Sequence, residues 1–282
     1  MRAFLIVLLV LLGLAATAAG IFLYRGFHID EGVVFMPVQR PDRAELIMRR
    51  EESLINVVHE RVELGGEQIA ITTVGVDAGP LIVSCFGNAS DRYEHGVDYV
   101  AKIAPFGQVM LWDYPGYGDS RGKPSVDAIE RVAVDLVPLI QARAAGRPII
   151  YWGHSLGGFV CSNLAARTPQ VAGVILETTA PSIRSVAKAW TPKRIPLRVT
   201  FDEDLLRYDI PAALQGVNAP MLIIGAGRDR VLPVGLSQEL ADELPNAAYL
   251  ELPMATHYSA GFDPHTTTAV RELLKQVPAQ QN

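Results

Sequence analysis

The sequence predicts a mostly parallel α/β sheet covered by helices on both faces, and three observations carry that prediction. Past residue 55, short and almost wholly apolar runs alternate with longer amphipathic stretches. The short runs are bounded by glycine, proline or charged residues, as buried strands are. In the longer stretches apolar residues recur at helical spacing, as at Val126, Ile129, Val132, Leu136 and Ile140.

Taken in order, "VVHERVEL" and "EQIAITTVGV" flank Gly65-Gly66 and read as a β-hairpin, giving the first two strands. "PLIVSCF" is the third strand, and a helical pattern follows over roughly residues 93–103. "GQVMLWDY" is the fourth, ahead of the long amphipathic helix "SVDAIERVAVDLVPLIQARAA". "RPIIYWGH" is the fifth, followed by the helix "LGGFVCSNLAARTP", which ends before Pro169. "VAGVILET", "APMLIIGAG" and "AAYLELP" are strands six to eight. "LPVGLSQELADEL" is the helix between the last two, and "TTTAVRELLKQV" closes the chain.

Residues 56–282 therefore form one domain, in which residues 178–218 leave room for a small cap of one or two short helices. Residues 25–55, mixed in charge and interrupted by proline, read as a juxtamembrane connector. Ahead of them, residues 3–24 form a 22-residue stretch without a charge. A membrane span needs about 20 such residues and a secretory core only about 7 to 15, so the length favours an uncleaved signal anchor. The competing reading is a signal peptide cleaved after "ATA" at residues 16–18. Arg2 on one side of the segment faces Arg25, Arg40 and Arg43 on the other, so the flanking charges leave the orientation open. The short tail ahead of the segment favours a domain outside the cytoplasm, membrane-anchored in the first case and secreted or periplasmic in the second.

The composition is 49% hydrophobic and 20% charged, with a formal net charge of −5. That mild acidity, without clustered Lys or Arg, argues against a nucleic-acid partner. No Cys/His cluster has metal-ligand spacing. The two cysteines, Cys85 and Cys161, sit in apolar settings that read as buried thiols, while a disulfide between them stays open.

The chemistry centres on Gly153-His154-Ser155-Leu156-Gly157, a G-x-S-x-G where the fifth strand gives way to a helix. A serine on such a turn is exposed in strained backbone geometry, and small residues two before and two after it let strand and helix pack closely. The helix N-terminus offers Leu156 N–H to a developing oxyanion. Serine needs a base and the base an orienting acid, in chain order Ser, Asp/Glu, His. Asp229 lies just past the seventh strand and His257 just past the eighth, the two strand ends that this chemistry requires. Glu177, ending the sixth strand, is the alternative acid, and His265 the alternative base. His154, inside the elbow, is expected to point away from the base. The second oxyanion donor is expected from the loop after the third strand, "CFGNASD", with Asn88 N–H first and Ala89 next.

With "FGNAS", "DYPGYGDSRGKPS" and "GHSLGG", the chain resembles the α/β-hydrolase superfamily across roughly residues 60–278. Within it, the chain is similar to the single-domain serine-type abhydrolase proteins, which include membrane-associated lipid and thioester hydrolases. Their bacterial relatives stand near the prolyl-oligopeptidase-like peptidases. The resemblance implies an α/β-hydrolase fold with a mostly parallel eight-stranded sheet, and ester or thioester cleavage through an acyl-enzyme. The triad would be Ser155, His257 and Asp229, with no metal or organic cofactor. Two positions depart from the family pattern. Phe86 precedes Gly87 where a histidine is common, and Thr256 precedes His257 where a glycine is common.

The expected substrate is a small-molecule or lipid acyl compound, with Trp190, Phe201 and Leu205 as candidates for lining an acyl pocket. The alternative is a serine peptidase or aminopeptidase whose cap acids Asp202, Glu203 and Asp204 hold the substrate amine. A non-catalytic binding module with this fold is disfavoured, because no triad residue or elbow glycine is missing.

Overall fold

The computed structural model describes residues 26–38, 56–93, 96–191, 194 and 197–277. The apolar stretch 3–24 and residues 39–55 of the connector lie outside the described residues. Among the described residues, no helix is long and apolar enough to cross a membrane.

Eight strands form the main sheet: β2 (Val57–Leu64), β3 (Glu67–Val74), β4 (Leu81–Cys85), β5 (Gln108–Trp112), β6 (Ile149–His154), β7 (Gly173–Glu177), β9 (Met221–Ala226) and β10 (Ala247–Leu252). Their order across the sheet is β10-β9-β7-β6-β4-β5-β3-β2. The β2–β3 hairpin and the β3–β5 pair are antiparallel, and every other pairing is parallel. Two further strands, β1 (Phe27–Ile29) and β8 (Val199–Phe201), pair in parallel as a separate ribbon.

Alternation explains why the central strands read as unbroken apolar runs. Along β4, Leu81, Val83 and Cys85 enter one core while Ile82 enters the other. Along β6, Tyr151 and Trp152 divide in the same way. The first core is closed by α3 (Val126–Ala144), α4 (Leu156–Arg167) and α7 (Gly235–Glu243). Ile129, Val132, Leu136 and Ile140 of α3 are all buried there, the stripe that the sequence periodicity requires. The second core is closed by α2 (Gly96–Ile103) and α8 (Pro264–Gln276), through Val100, Ile103, Val270 and Leu273.

Cys85 and Cys161 are joined in a disulfide, with both residues fully buried. The bridge spans 76 residues and ties the end of β4 to the second turn of α4. The reading of two free thiols is therefore corrected: the packing of α4 on β4 brings together positions remote in sequence. Replacing both cysteines with alanine is expected to lower unfolding stability by about 2–4 kcal/mol. Urea unfolding of the oxidised wild type against the double variant measures this, and superimposable curves would show that the bridge adds nothing.

The cap contains α5 (Ile183–Trp190), the strand β8, a 3₁₀ turn at Asp204–Arg207 and α6 (Ile210–Leu214). Residues 26–38, read from sequence as connector, are instead fastened into this cap. β1 pairs with β8, and α1 (Glu31–Val34) follows directly. His28 holds Thr200 Oγ1 and Asp202 Oδ1 with its two ring nitrogens, at 2.9 and 3.0 Å. At the far end, Gly118 N–H donates to Val38 O at 2.8 Å.

Candidate active site

β6 ends at His154 and α4 begins at Leu156, so the whole strand-to-helix turn is Ser155. Its backbone sits at φ 55°, ψ −122°. A non-glycine residue in such a conformation costs roughly 1–3 kcal/mol, and it persists only where its surroundings over-determine it. Here Ser155 N–H donates to Glu177 O at 2.9 Å, while its carbonyl accepts from Gly158 N–H at 2.9 Å and from Thr179 Oγ1 at 2.8 Å. Close approach explains the glycine two residues after it: a Cβ on Gly157 would lie 2.1 Å from Cys85 O. Leu156 N–H, at the first position of α4, has no carbonyl one turn earlier to serve and carries the positive end of the helix dipole.

β9 and β10 run parallel in direct register, so their C-terminal loops leave the sheet side by side. Gly227 N–H donates to Leu252 O and Arg228 N–H to Ala255 O, both at 2.9 Å, which locks the two loops together. Asp229 Oδ2 thereby accepts from His257 Nδ1 at 2.7 Å, with both side chains almost wholly buried. The other carboxylate oxygen of Asp229 accepts Val231 N–H at 2.7 Å and Leu232 N–H at 2.8 Å, which fixes its plane. Among the hydrogen bonds of the described residues, none joins Ser155 Oγ to the His257 ring. In many hydrolases that bond tightens only with substrate in place.

The loop after β4 lies across the elbow. A Cβ on Gly87 would stand 3.3 Å from Ser155 Cβ and 2.9 Å from His154 Nδ1, so this position admits little more than a glycine. Among the described residues, the backbone N–H of Asn88 donates to nothing. Where the family resemblance suggests a histidine before this glycine, two tyrosines hold the loop. Tyr114 OH donates to Phe86 O and Tyr117 OH to Asn88 Oδ1, each at 2.7 Å. Both come from the "DYPGYGDS" stretch. That stretch is itself pinned where Asp113 accepts Arg92 Nε at 2.8 Å and Arg92 N–H at 2.7 Å. Burial pushes the Asp113 carboxyl up to about 6, against the pull of Arg92.

The rivals lie elsewhere. Glu177 is fully buried, pairs with Lys102 Nζ at 3.1 Å, and accepts Trp152 Nε1 at 2.8 Å; it does not reach His257. His265 is exposed and bonds Asp263 at the start of α8. His154 departs from expectation. Its ring lies 4.8 Å from that of His257, and its Nε2 is 2.9 Å from His257 O. Burial lowers its pKa to about 3, so the ring is neutral and, facing a carbonyl, carries its proton on Nε2. His154 thus steadies the loop of the proposed base. Its position immediately before Ser155 was the one sequence signal for that role.

Ser155 also lines a pocket of about 490 Å³, within the usual size of small-molecule sites. Its walls are almost wholly apolar, with Leu156, Phe159, Val186, Trp190 and Leu232 among them. Trp190 lines it as expected, whereas Leu205 is buried in the first core and Phe201 packs against that core from the cap. Sequence reasoning missed Ile29, Val34 and Met36, from residues 26–38, which form part of the wall.

A family model described as serine aminopeptidase, S33 (Hydrolase_4), matches residues 77–201. The chain is 28% identical over 231 residues to an uncharacterized protein of Mycobacterium tuberculosis, covering 80% of this chain and 79% of that one. It is 32% identical over 179 residues to the lysophosphatidylserine lipase ABHD12 of Danio rerio, covering 58% of this chain. That match spans 47% of the lipase, about half its length. Among solved structures, the Pyrococcus furiosus esterase Pf2001 superposes with a TM-score of 0.64 at 14% identity, covering 88% of this chain and 98% of that chain. The esterase RhEst1 from Rhodococcus sp. ECU1013 superposes with a TM-score of 0.59 at 16% identity, covering 79% and 100%. At such identities the structural likeness speaks for the fold alone.

Proposed function

The chain belongs to the α/β-hydrolase superfamily, and from that premise we propose that it is a serine hydrolase of lipid-like carboxylic esters or thioesters. The observation that carries the reading is that Ser155, at a strained elbow, lines an apolar pocket of acyl-chain character. In the proposed mechanism Ser155 Oγ attacks the acyl carbonyl and His257 Nε2 takes its proton. Asp229 holds the opposite ring nitrogen protonated and oriented. The backbone N–H groups of Leu156 and Asn88 receive the oxyanion. His257 then protonates the leaving group, and water, activated by the same imidazole, hydrolyses the acyl-enzyme.

The family model's description favours a second reading, an aminopeptidase using the same three residues. The cap acids support it poorly. Asp202 is engaged by His28 and by Glu31 N–H, Asp204 pairs with Arg207, and neither lines the pocket. An apolar wall with no acid in it suits an acyl chain better than an ammonium group.

We further propose that the apolar segment 3–24 anchors the domain to a membrane with the catalytic face outside the cytoplasm. A fully buried disulfide is the chemistry of an oxidising compartment, which supports that side. The partly exposed apolar residues Phe27, Val33, Met36 and Trp190 rim the pocket, as befits a site that receives lipid.

The purified full-length protein is expected to react with a fluorophosphonate probe and to hydrolyse p-nitrophenyl decanoate in preference to the acetate. Aminoacyl p-nitroanilides should be poor substrates. Absence of labelling, or faster turnover of the aminoacyl amides, would sink the esterase reading.

A further inference from the structure

The strap formed by residues 26–38 does more than wall the pocket, because it also grips the side chain of Asn88. Asn88 Nδ2 donates to Val34 O, and Asn88 Oδ1 accepts from Met36 N–H at 2.9 Å. The same oxygen accepts from Tyr117 OH at 2.7 Å and from Ala89 N–H at 3.0 Å. The amide is therefore read at both ends, donor and acceptor, by a chain segment 52 or more residues away in sequence. The opposite end of the strap is tied to the cap through β1–β8 and His28, and Glu31 Oε1 accepts Val126 N–H at the start of α3.

Val34 and Met36, whose backbones hold the Asn88 amide, also line the pocket beside Ser155. One short segment thus presents an apolar wall to the acyl chain and a pair of hydrogen bonds to the proposed oxyanion donor. We propose that this strap is a positioning element of the active site: a long acyl chain packing on Val34 and Met36 sets Asn88 N–H over the elbow, so that chain length raises kcat as well as lowering KM.

The inference rests on the hydrolase reading above, and it extends that reading to how the substrate acts on the site. Removing the Asn88 side chain leaves its backbone N–H in the chain but frees it from the strap. The apolar wall stays in place. The loss should therefore fall on kcat, where transition-state donors act, rather than on KM.

The test uses the full-length protein and p-nitrophenyl acetate, hexanoate and decanoate, with kcat and KM measured separately. In the wild type kcat is expected to rise from acetate to decanoate. In Asn88→Ala, kcat for the decanoate should fall about 10- to 100-fold and lose its dependence on chain length, with KM changed by no more than about 3-fold. Asn88→Asp keeps an acceptor for Met36 N–H and Tyr117 OH, but it turns a second carboxylate oxygen toward Val34 O and adds a negative charge beside the oxyanion. Its loss of kcat should therefore be at least as large as that of Asn88→Ala. Thermal melting of each variant separates this from unfolding, since a folded Asn88→Asp keeps the comparison open. A kcat within about 2-fold of wild type in Asn88→Asp and Asn88→Ala overturns the proposal, as does a loss that leaves the chain-length dependence of kcat intact. Fluorophosphonate labelling of the wild type is read in parallel. Failure to label overturns the hydrolase reading itself, whereas labelling together with unchanged variant kinetics overturns the strap alone.

Discussion

Ser155→Ala is expected to lower kcat for p-nitrophenyl esters by about 10⁶-fold, and His257→Ala by a similar factor, because nucleophile and base act as one unit. The two losses should not add: the double variant is expected near either single one. Asp229→Asn is the more instructive change. The new carboxamide would still accept the N–H groups of Val231 and Leu232 through its oxygen, so the loop geometry would survive. Its NH₂ group would then face His257 Nδ1 as a donor, forcing the imidazole into the tautomer with its proton on Nε2. That ring cannot take the proton of Ser155, and kcat should fall by about 10⁴-fold with little change in melting temperature. Retention of more than a few per cent of wild-type kcat in Ser155→Ala would remove this serine from the mechanism. A full-rate Asp229→Asn would do the same for the acid.

The parts of this site that were legible in the sequence are those that local rules position. Asp229 and His257 stand at the ends of two apolar runs, and parallel pairing of those runs makes their loops neighbours. The elbow is a five-residue pattern whose glycines are demanded by contacts with Cys85 O and with the residues beside it. What could not be read depends on pairs distant in sequence and lacking periodicity. "FHIDEGVVFMPV" holds a strand of three residues and a helix of four, too short to leave a pattern, and it is ordered by the cap and by Asn88. Cys85 and Cys161 announce burial but not their pairing, which depends on how α4 crosses β4. His154 looks like a spacer inside a motif; only the packing of the β10 loop over the elbow shows that it holds His257 O. The two tyrosines of "DYPGYGDS" take over the restraint that a histidine at position 86 would be expected to supply.

Behind the elbow, Lys102→Met is expected to destabilise the fold by about 3–5 kcal/mol, since it strands a buried carboxylate without its cation. Glu177 is fully buried between Lys102, Trp152 Nε1 and Tyr99 OH, with the ring of His154 on the side of the site. Burial, the largest single influence, would raise its pKa; the Lys102 ammonium, the His154 ring and the hydrogen bonds from Trp152 and Lys102 together outweigh it and hold the carboxyl below the ordinary glutamate value of 4.5. The sign of the pH dependence follows. A carboxyl depressed in the folded state contributes stability above its unfolded pKa, and that contribution is lost as pH falls through the depressed value. Wild-type stability should therefore drop on acidification below about pH 4.5, the unfolded glutamate value. In Lys102→Met the carboxyl is free to take up a proton at higher pH, so the gap between the two proteins should narrow as pH falls. The double variant Lys102→Met/Glu177→Gln removes the stranded charge while keeping a carbonyl acceptor for Trp152 Nε1, with the new NH₂ facing Tyr99 OH, whose oxygen can accept from it. It should recover a substantial part of the loss, a coupling that unfolding of the four proteins would measure directly. Equal stability of Lys102→Met and wild type at pH 7 would show that the pair is neutral to the fold. Because Glu177 O also accepts the N–H of Ser155, the single variant should label with fluorophosphonate more slowly than wild type even at temperatures where it is folded. The double variant should label faster than the single one, since the strained serine is held by the same strand end that the ion pair secures.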